Sequence, residues 1–517
     1  MNKIILHEKD QGLYAFLRLE KRGNFLITIL IIIIGAFYTI TIRDGHNWGG
    51  DFALYISHAK NIAMGNPYSD TNYIYNQNYE ILSPRQYPPV FPIFLSIVYK
   101  IYGFDLFHMK MMNIIAFLLS IYVYYYTIKK YAGENIALFC SATFAFMPYI
   151  WQFKDNILSE YIFTLFSICA LGLWEVLARH GERRRSTVRV VALSLAVSAF
   201  IALSYGTRSI GIILLPAMMI HGIVLHRKIR LESWIIGLLV ASFYLIYNYY
   251  TKTDSAYLTI FKSYYLSQPY YSFIYYLESL ISLWSGNLGG WNGDATLSST
   301  PLSTALSTVA NIVTLPLMIL GFITVNRKYI SSINIFVILY CIILLIFPAH
   351  ESPRYLIPII PWLVYYMISG IVWIANFFKR GRRVILSIFF VFLSATYVSA
   401  YASIGFSPMV DGIDKKENRE LFAFIKETTS TSDVIVFQKP RVLALYTGRK
   451  SAGYNPRYRG DPWPILRKIT ATYLVVPTPA SLLWRRQGNR LAALVSEYPK
   501  RVKAVFHNAD FTVYKIR

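Results

Sequence analysis

Charged residues are scarce in this 517-residue chain: Asp, Glu, Lys and Arg together make up 15% of the sequence. Soluble proteins commonly carry about 25%. Hydrophobic residues make up 55%, and the mean hydropathy is +0.40. This lack of charge, together with repeated apolar runs of about 18 or more residues, excludes an ordinary soluble protein and predicts a polytopic membrane protein.

Acidic residues are rarer still, since 27 Asp and Glu stand against 51 Lys and Arg, which gives a net charge of +24. In a soluble chain this excess would suggest a nucleic-acid partner. Here most of it lies in short loops between apolar runs. Positive loops of membrane proteins stay cytoplasmic, so we ascribe the excess to topology and expect no nucleic-acid partner. Membrane lipids or a phosphate-bearing ligand could use part of it.

Cysteine is nearly absent: Cys140, Cys169 and Cys341 all lie within apolar runs. They provide neither a disulfide framework nor metal-ligand spacing, and we expect three buried small hydrophobic residues. His58 and His350 also lack a partner at ligand spacing. A divalent metal stays open as an alternative without support from spacing, and no cofactor is predicted.

Eleven apolar runs separated by polar loops predict about eleven transmembrane helices within a membrane domain of residues 1–406. The runs cover residues 25–42, 106–128, 135–150, 157–177, 190–205, 210–225, 234–250, 305–325, 333–347, 355–378 and 384–404. Cytoplasmic loops of membrane proteins are enriched in Lys and Arg, so the charge of the loops predicts the orientation of these helices.

The number of basic residues alternates from loop to loop. Every second loop carries two to five Lys or Arg, and the short loops between carry one. The alternation predicts a cytoplasmic N-terminus. It also places Asp51, Asp155, Arg208, Glu351 and Arg354 together at the outer face. Positions hundreds of residues apart are thus expected to line one outward-facing cavity.

The first outer loop, residues 43–89, contains Asp51 just past the first span. Asp51, Tyr55 and His58 are spaced i, i+4 and i+7 and share one face if the segment is helical. An acid, a phenol and an imidazole at the mouth of a membrane domain indicate a reactive site, and a water-wetted polar face is the alternative. The loop ends in a Pro-Pro pair that suits a helix start, and residues 90–102 predict an interfacial or re-entrant helix.

The polar tail, residues 407–517, predicts a small soluble α/β domain outside the membrane. Helical spacing marks residues 418–428, and apolar runs of strand length mark residues 434–437 and 473–476. Alternation over residues 502–516 predicts a hairpin. The tail contains no phosphate-binding glycine loop, and we expect no catalytic role for it.

Four short motifs lie near the predicted ends of spans. They are GDFALY and AMGNP within residues 50–67, YPPVFPIF at 87–94, TRSIGI at 207–212, and PRYLIPIIP at 353–361. In order and placement they resemble the GT-C glycosyltransferases, in particular the clan of protein O-mannosyltransferases and lipid A aminoarabinose transferases. The resemblance covers the membrane part and implies an all-α polytopic membrane domain of GT-C type with a C-terminal soluble α/β domain.

The resemblance implies an enzyme that transfers a sugar from a polyprenyl-phosphate carrier to a hydroxyl acceptor on the outer face, with inversion. The acceptor would be a cell-envelope glycan, a lipid or a protein. The acid of the first outer loop acts as base in the clan, and here it is Asp51. Clan members with a second acid next to the first differ from this chain, which has Phe52. This favours a bacterial lipid or glycan modifier in the inner (plasma) membrane.

Sugar transfer also needs cations for the leaving phosphate and polar groups for hydroxyls. Asp155 and Glu160, where the third and fourth spans meet, are candidate catalytic acids, with helix capping as the alternative. Arg208 and Arg354 are candidate phosphate ligands, with snorkelling to lipid headgroups as the alternative. The remaining candidate substrate-binding residues are Tyr55, His58, Arg85, Tyr87, Lys154, His350, Glu351 and Tyr355.

Two other classes of protein stay open. A lipid or oligosaccharide transporter or flippase would place charges at mid-span and show repeated halves, yet mid-span charges are scarce and no repeat is visible. An O-antigen ligase or polymerase would use a diphosphate donor and an arginine-rich outer loop. The long outer segment of residues 251–302 contains no arginine, only Lys252 and Lys262.

Overall fold

The computed structural model describes residues 21–75, 86–179, 187–227, 229–251, 267–285, 301–348, 353–378, 380–403, 406, 412–454, 461–481 and 490–517. Within these residues, nine helices are long and apolar enough to cross a membrane. The helices of the membrane part are α1 (Lys21–Ile40), α2 (Gly50–Met64), α3 (Val90–Tyr102), α4 (Leu106–Ala132), α5 (Glu134–Ala145), α6 (Pro148–Phe153), α7 (Glu160–Arg179), α8 (Thr187–Thr207), α9 (Leu214–His226), α10 (Leu231–Thr251), α11 (Gln268–Ser285), α12 (Pro301–Lys328), α13 (Ser332–Ile346), α14 (Ile360–Phe377) and α15 (Arg382–Ser403). Short 3-10 helices follow α8 at Ser209–Ile213 and precede α14 at Pro353–Leu356.

The predicted all-α membrane domain is confirmed, and nine of the eleven predicted spans coincide with long apolar helices. The other two are shorter. The run at residues 135–150 is divided into α5 and α6, because Pro148 lacks the N–H that would continue α5 and instead begins α6. The run at 333–347 forms α13, which has 15 residues. The helix predicted over residues 90–102 is present as α3.

Helix α11 lies within residues 251–302, for which the sequence predicted no element. Its inner face buries Tyr276, Leu283 and Trp284, whereas Tyr270 and Phe273 are exposed. The helix packs against α6, α12, α13 and α15. Its mixture of tyrosines with apolar residues concealed the pattern, since neither strict alternation nor a long apolar run is present.

A close crossing of α12 and α14 depends on two glycines. A Cβ atom at Gly321 would lie 1.7 Å from the carbonyl oxygen of Tyr366, and one at Gly370 would lie 2.2 Å from that of Leu317. The two backbones therefore touch where both residues lack a side chain, as is common between membrane helices.

The C-terminal region forms the predicted α/β domain. Its helices and strands are α16 (Lys416–Thr428), β2 (Val434–Val436), α17 (Pro440–Thr447), β3 (Lys450–Ala452), α18 (Trp463–Lys468), β4 (Ala471–Pro477), α19 (Arg490–Glu497), β5 (Val502–His507) and β6 (Phe511–Ile516). The sheet also includes β1 (Tyr73–Ile74), which comes from the first outer loop. The strand order is β1-β3-β2-β4-β6-β5, with the first four strands parallel and β6 antiparallel to both of its neighbours.

The first outer loop joins the two parts of the molecule. Strand β1 pairs with β3, with Tyr73 opposite Ser451. The Trp48 ring lies among Phe422, Phe437 and Phe511, at centroid distances of 6.1, 5.8 and 6.3 Å. Helix α17 packs on α2. The soluble domain is therefore fixed beside the N-terminus of α2.

Candidate active site

Asp51 lies in the first turn of α2, directly after the Gly49-Gly50 pair that begins the helix. Its carboxylate accepts hydrogen bonds from two sides. Oδ2 accepts from Nη2 of Arg354 at 2.7 Å, and Oδ1 accepts from the hydroxyl of Tyr87 at 2.7 Å. The guanidinium of Arg441 adds a contact to Oδ1 at 3.4 Å. The carboxylate is thus held by two cations and a phenol.

Two arginines and two acids form a group that we call the cavity cluster: Asp51, Glu160, Arg208 and Arg354. Arg208 donates from Nη1 to Oε1 of Glu160, and Nε of Arg354 lies 3.8 Å from the same oxygen. The Tyr355 ring lies beside both guanidinium groups, at 5.4 and 5.5 Å. Arg354 therefore bridges the acid of α2 and the acid of α7.

A cavity of about 400 Å³ opens beside this cluster. All four members of the cavity cluster line its polar end, together with Tyr55, Tyr87 and Tyr355. The remaining wall is mainly apolar and comes from the segments around α9 and α13. Its apolar residues are Pro88, Leu158, Ile210, Ile212, Ile213, Ile343, Leu344, Ile346 and Phe347. One end of the cavity can hold an anion and the rest an apolar chain.

The charge state of Asp51 follows from these neighbours. Burial raises the pKa of this carboxyl, but the guanidinium groups of Arg354 and Arg441 and the Tyr87 hydrogen bond outweigh it and lower the pKa to about 2. Asp51 is thus ionised at neutral pH and neutralised by its partners.

Tyr55 and His58 were both predicted to share a face with Asp51, but only Tyr55 lines the cavity. The Tyr55 ring stacks on Tyr87 at 4.4 Å and its hydroxyl lies 3.2 Å from Oγ of Ser159. His58 does not line the cavity; its ring stacks on Tyr68 at 4.0 Å and its Nδ1 contacts the Tyr68 carbonyl. Burial lowers the pKa of His58 to about 4. His58 therefore packs against the loop segment that contains Tyr68.

Asp155 and Lys154 lie in a second buried group, away from the cavity. We call it the closed cluster: Arg43, Lys110, Lys154 and Asp155. Asp155 accepts from the Nε of Arg43 at 3.0 Å and from Nζ of Lys154 at 2.8 Å. Lys110 donates to the carbonyls of Arg43 and Gly45. None of the four lines the cavity.

Phe52, the residue directly after Asp51, is a packing residue. It is fully buried and its ring stacks on His46 at 3.7 Å. His46 in turn accepts from the backbone N–H of Ile157. A carboxylate at position 52 would be buried against this contact, so the site is built around a single acid on α2.

The predicted residues Arg85, His350 and Glu351 lie outside the described residues. Arg441 is the residue that sequence reasoning missed, because it belongs to a tail to which no chemistry was assigned. Its neighbours in the chain, Lys439 and Pro440, form no recognisable motif. Among the residues that the structure describes, no group of three or more His, Cys, Asp or Glu side chains is placed to hold a metal ion.

The helical membrane part with its attached α/β domain is similar in fold to solved structures of GT-C glycosyltransferases. The crystal structure of ArnT from Cupriavidus metallidurans bound to undecaprenyl phosphate matches with a TM-score of 0.57 at 11% identity, over 96% of this chain and 98% of that one. The Archaeoglobus fulgidus oligosaccharyltransferase, in complex with Zn and sulfate, matches with a TM-score of 0.55 at 13% identity, over 86% of this chain and 67% of that one.

The arabinofuranosyltransferase AftD from Mycobacteria matches with a TM-score of 0.51 at 12% identity, over 96% of this chain and 40% of that one. Residues 86–250 match the family model for dolichyl-phosphate-mannose-protein mannosyltransferases. None of the curated proteins matches the chain by sequence. The predicted resemblance to the GT-C glycosyltransferases is confirmed.

Proposed function

We propose that the protein transfers a sugar from a polyprenyl-phosphate carrier to a hydroxyl acceptor at the outer face of the membrane, with Asp51 as general base. The observation that carries the proposal is the Asp51–Arg354 pair at the polar end of an apolar cavity. An acid that accepts a proton and a guanidinium that binds phosphate are the two groups that this reaction needs side by side.

The apolar wall of the cavity supports a lipid carrier. Ile210, Ile343, Leu344 and Phe347 provide hydrocarbon contact without polar groups that would need a hydrogen-bond partner. The solved structure of ArnT is bound to undecaprenyl phosphate, and one structure of the archaeal oligosaccharyltransferase AglB contains a dolichol-phosphate. A carrier of the same chemical class suits this cavity.

Arg354 and Arg208 are the proposed phosphate ligands. Their guanidinium groups now face the carboxylates of Asp51 and Glu160. A phosphate offers a guanidinium group two neighbouring oxygens, as a carboxylate does. A donor phosphate would compete for the same N–H groups. As Arg354 turns towards the phosphate, its hold on Asp51 weakens and the basicity of Asp51 rises, because an opposite charge has moved away.

These groups account for the proton, the new bond and the leaving group of the transfer step. The Asp51 carboxylate takes the proton of the acceptor hydroxyl, and the oxygen attacks the anomeric carbon of the donor sugar. The bond between that carbon and the phosphate oxygen breaks, and its electron pair leaves with the polyprenyl phosphate. Attack opposite the leaving group inverts the anomeric centre. Arg208 and Arg354 stabilise the charge that develops on the phosphate.

Glu160 is proposed to orient the two arginines, since its carboxylate contacts both. This differs from the first expectation of a direct contact to acceptor or sugar hydroxyls. The geometry supports this role, because both guanidinium groups lie against the same carboxylate oxygen, Oε1. The side chain is only 1% exposed.

The proposal is tested by replacing Asp51 with Asn in cells that lack the gene, and by mass spectrometry of their envelope glycolipids and glycoproteins. Loss of a general base lowers rates by about 10²- to 10⁴-fold, so the sugar modification should disappear. The variant should still bind undecaprenyl phosphate. Asp70→Asn is the matched control, because Asp70 is an exposed acid of the same loop. Full modification by Asp51→Asn would remove Asp51 as the base.

A further inference from the structure

We propose that Arg441, carried by the soluble domain, is a positioning residue that holds Asp51 and Tyr87 in their reactive arrangement. The membrane helices alone would then leave the site incomplete. This inference rests on the proposed role of Asp51 as the base. It gives the C-terminal domain a role in the active site, although the sequence of that domain predicted none.

Arg441 is placed between the two groups that it would hold. Its Nη1 lies 3.4 Å from Oδ1 of Asp51 and 3.3 Å from the hydroxyl of Tyr87. The guanidinium lies over the rings of Tyr73 and Tyr87, at 5.0 and 5.5 Å. The side chain is 4% exposed. A buried cation fixed by two rings and an acid has little freedom to move.

Arg441 acts from behind the carboxylate, since it does not line the cavity, whereas Asp51, Tyr87 and Arg354 do. The two oxygens of Asp51 are therefore divided between two parts of the molecule. Oδ2 pairs with Arg354 of the membrane part, and Oδ1 faces Tyr87 and Arg441. A donor phosphate that draws Arg354 away would leave Arg441 as the group that keeps Asp51 ionised and aimed.

The placement of Arg441 is built into the fold. It lies in the first turn of α17, whose start is fixed by Pro440 at the first helical positions. Helix α17 packs on α2, which carries Asp51, and β1 of the same outer loop completes the soluble sheet beside β3. The loop that carries the acid and the domain that carries the arginine are thus one unit.

Within the part of the chain that the structure describes, the charged and titratable groups near Asp51 can be assigned one by one. Arg354, Arg441 and Tyr87 contact it directly. Tyr55 of the same helix and Glu160 of α7, which is reached through Arg354, lie further out. Tyr73 and His58 face Arg441 rather than Asp51. Removal of Arg441 therefore changes one direct charge on Asp51 and leaves the other in place.

The test measures how readily Asp51 is protonated in the full-length protein in detergent, without any sugar donor. A water-soluble carbodiimide reacts with protonated carboxyls, and peptide mass spectrometry gives the rate at Asp51 as a function of pH. In Arg441→Gln we expect Asp51 to react about tenfold faster than in the wild type at pH 5, which corresponds to one pKa unit. Arg441→Lys, which keeps the charge, should lie between the two.

Two control variants separate positioning from stability of the domain. Arg467 is an exposed arginine of the same domain, and Arg467→Gln should leave the rate unchanged. Arg449 donates to backbone carbonyls of Lys426 and Thr429, so Arg449→Gln weakens the domain without touching Asp51. Equal rates in Arg441→Gln and the wild type would overturn the proposal, as would an equal increase in Arg449→Gln.

Binding of undecaprenyl phosphate completes the test. Because Arg441 lies outside the cavity, Arg441→Gln should bind this lipid as the wild type does. Loss of lipid binding in Arg441→Gln would make Arg441 a ligand of the donor and overturn its positioning role. Neither measurement involves sugar transfer, so a failure of the proposed enzymatic activity would be seen separately, as unchanged envelope glycans in cells without the gene.

Discussion

The cavity cluster and the closed cluster both combine acidic and cationic side chains, but in different settings. In the closed cluster, the side chains of Asp155 and Lys154 are 0% exposed and that of Arg43 is 5% exposed. In the cavity cluster, Asp51 is 17% exposed and Arg208 is 18% exposed, whereas Arg354 and Glu160 are 8% and 1% exposed. Both groups pair acids with cations, but only the second opens onto a cavity.

The difference shows what separates a structural ion-pair group from a candidate active site. Burial raises the pKa of Asp155, but Lys154 and Arg43 outweigh it and lower the pKa. Asp51 is shifted in the same direction. A perturbed pKa therefore does not distinguish the two acids, whereas access to a cavity does. The closed cluster fastens the first outer loop to the start of α7, and the cavity cluster presents groups to a ligand.

The largest effect is expected when the closed cluster is broken. Asp155→Asn removes the carboxylate charge that buried Arg43 and Lys154 both contact, and breaking a buried ion pair typically costs about 3–5 kcal/mol. We expect a correspondingly lower unfolding midpoint in detergent, measured by thermal or denaturant unfolding. The folded fraction should bind undecaprenyl phosphate normally. A variant of normal stability that has lost lipid binding would place Asp155 in the site after all.

Arg354→Gln should weaken lipid binding more than any change in the closed cluster. Hydrogen bonds to charged groups contribute about 1.5–3 kcal/mol, so the affinity for undecaprenyl phosphate should fall by about ten- to a hundredfold. Arg43→Gln is the matched control, because it removes an arginine that pairs with an acid outside the cavity. Equal losses in both variants would erase the distinction between the clusters.

A smaller effect is expected for Tyr87→Phe. The change removes the hydroxyl that donates to Asp51 and keeps the ring that stacks on Tyr55. Transfer should fall by roughly tenfold, since one hydrogen bond to a carboxylate is worth about 1.5 kcal/mol. Tyr38→Phe, which removes a buried hydroxyl bonded to the carbonyl of Ala145, should not change transfer in the folded protein.

The last prediction concerns acid stability. Asp51 has a folded-state pKa of about 2, below the ordinary value of about 3.9. Its contribution to stability is therefore present above pH 4 and is lost as the pH falls through 2. The difference in unfolding midpoint between the wild type and Asp51→Asn should shrink as the pH falls from 5 to 2. A constant difference would show that the charge of Asp51 contributes nothing.

The sequence predicted most of the spans and the convergence of Asp51, Arg208 and Arg354, because loop charge places them at one end of the bundle. It did not separate Asp155 from these residues, since an acid at a helix start has the same pattern whether its partner is Arg43 or a ligand. The role of Arg441 could not be predicted from the sequence either. Its contact with Asp51 spans 390 residues and depends on a two-residue strand that no periodicity can reveal.

The most direct test of the account is a cryo-electron microscopy structure of the protein with undecaprenyl phosphate. We predict that the phosphate lies at the polar end of the cavity, within hydrogen-bond distance of Arg354 and Arg208, with the isoprenoid chain along Ile210, Ile343 and Phe347. Asp51 should then keep its contact with Arg441. A phosphate bound elsewhere, with the Asp51–Arg354 pair intact, would contradict the proposed site.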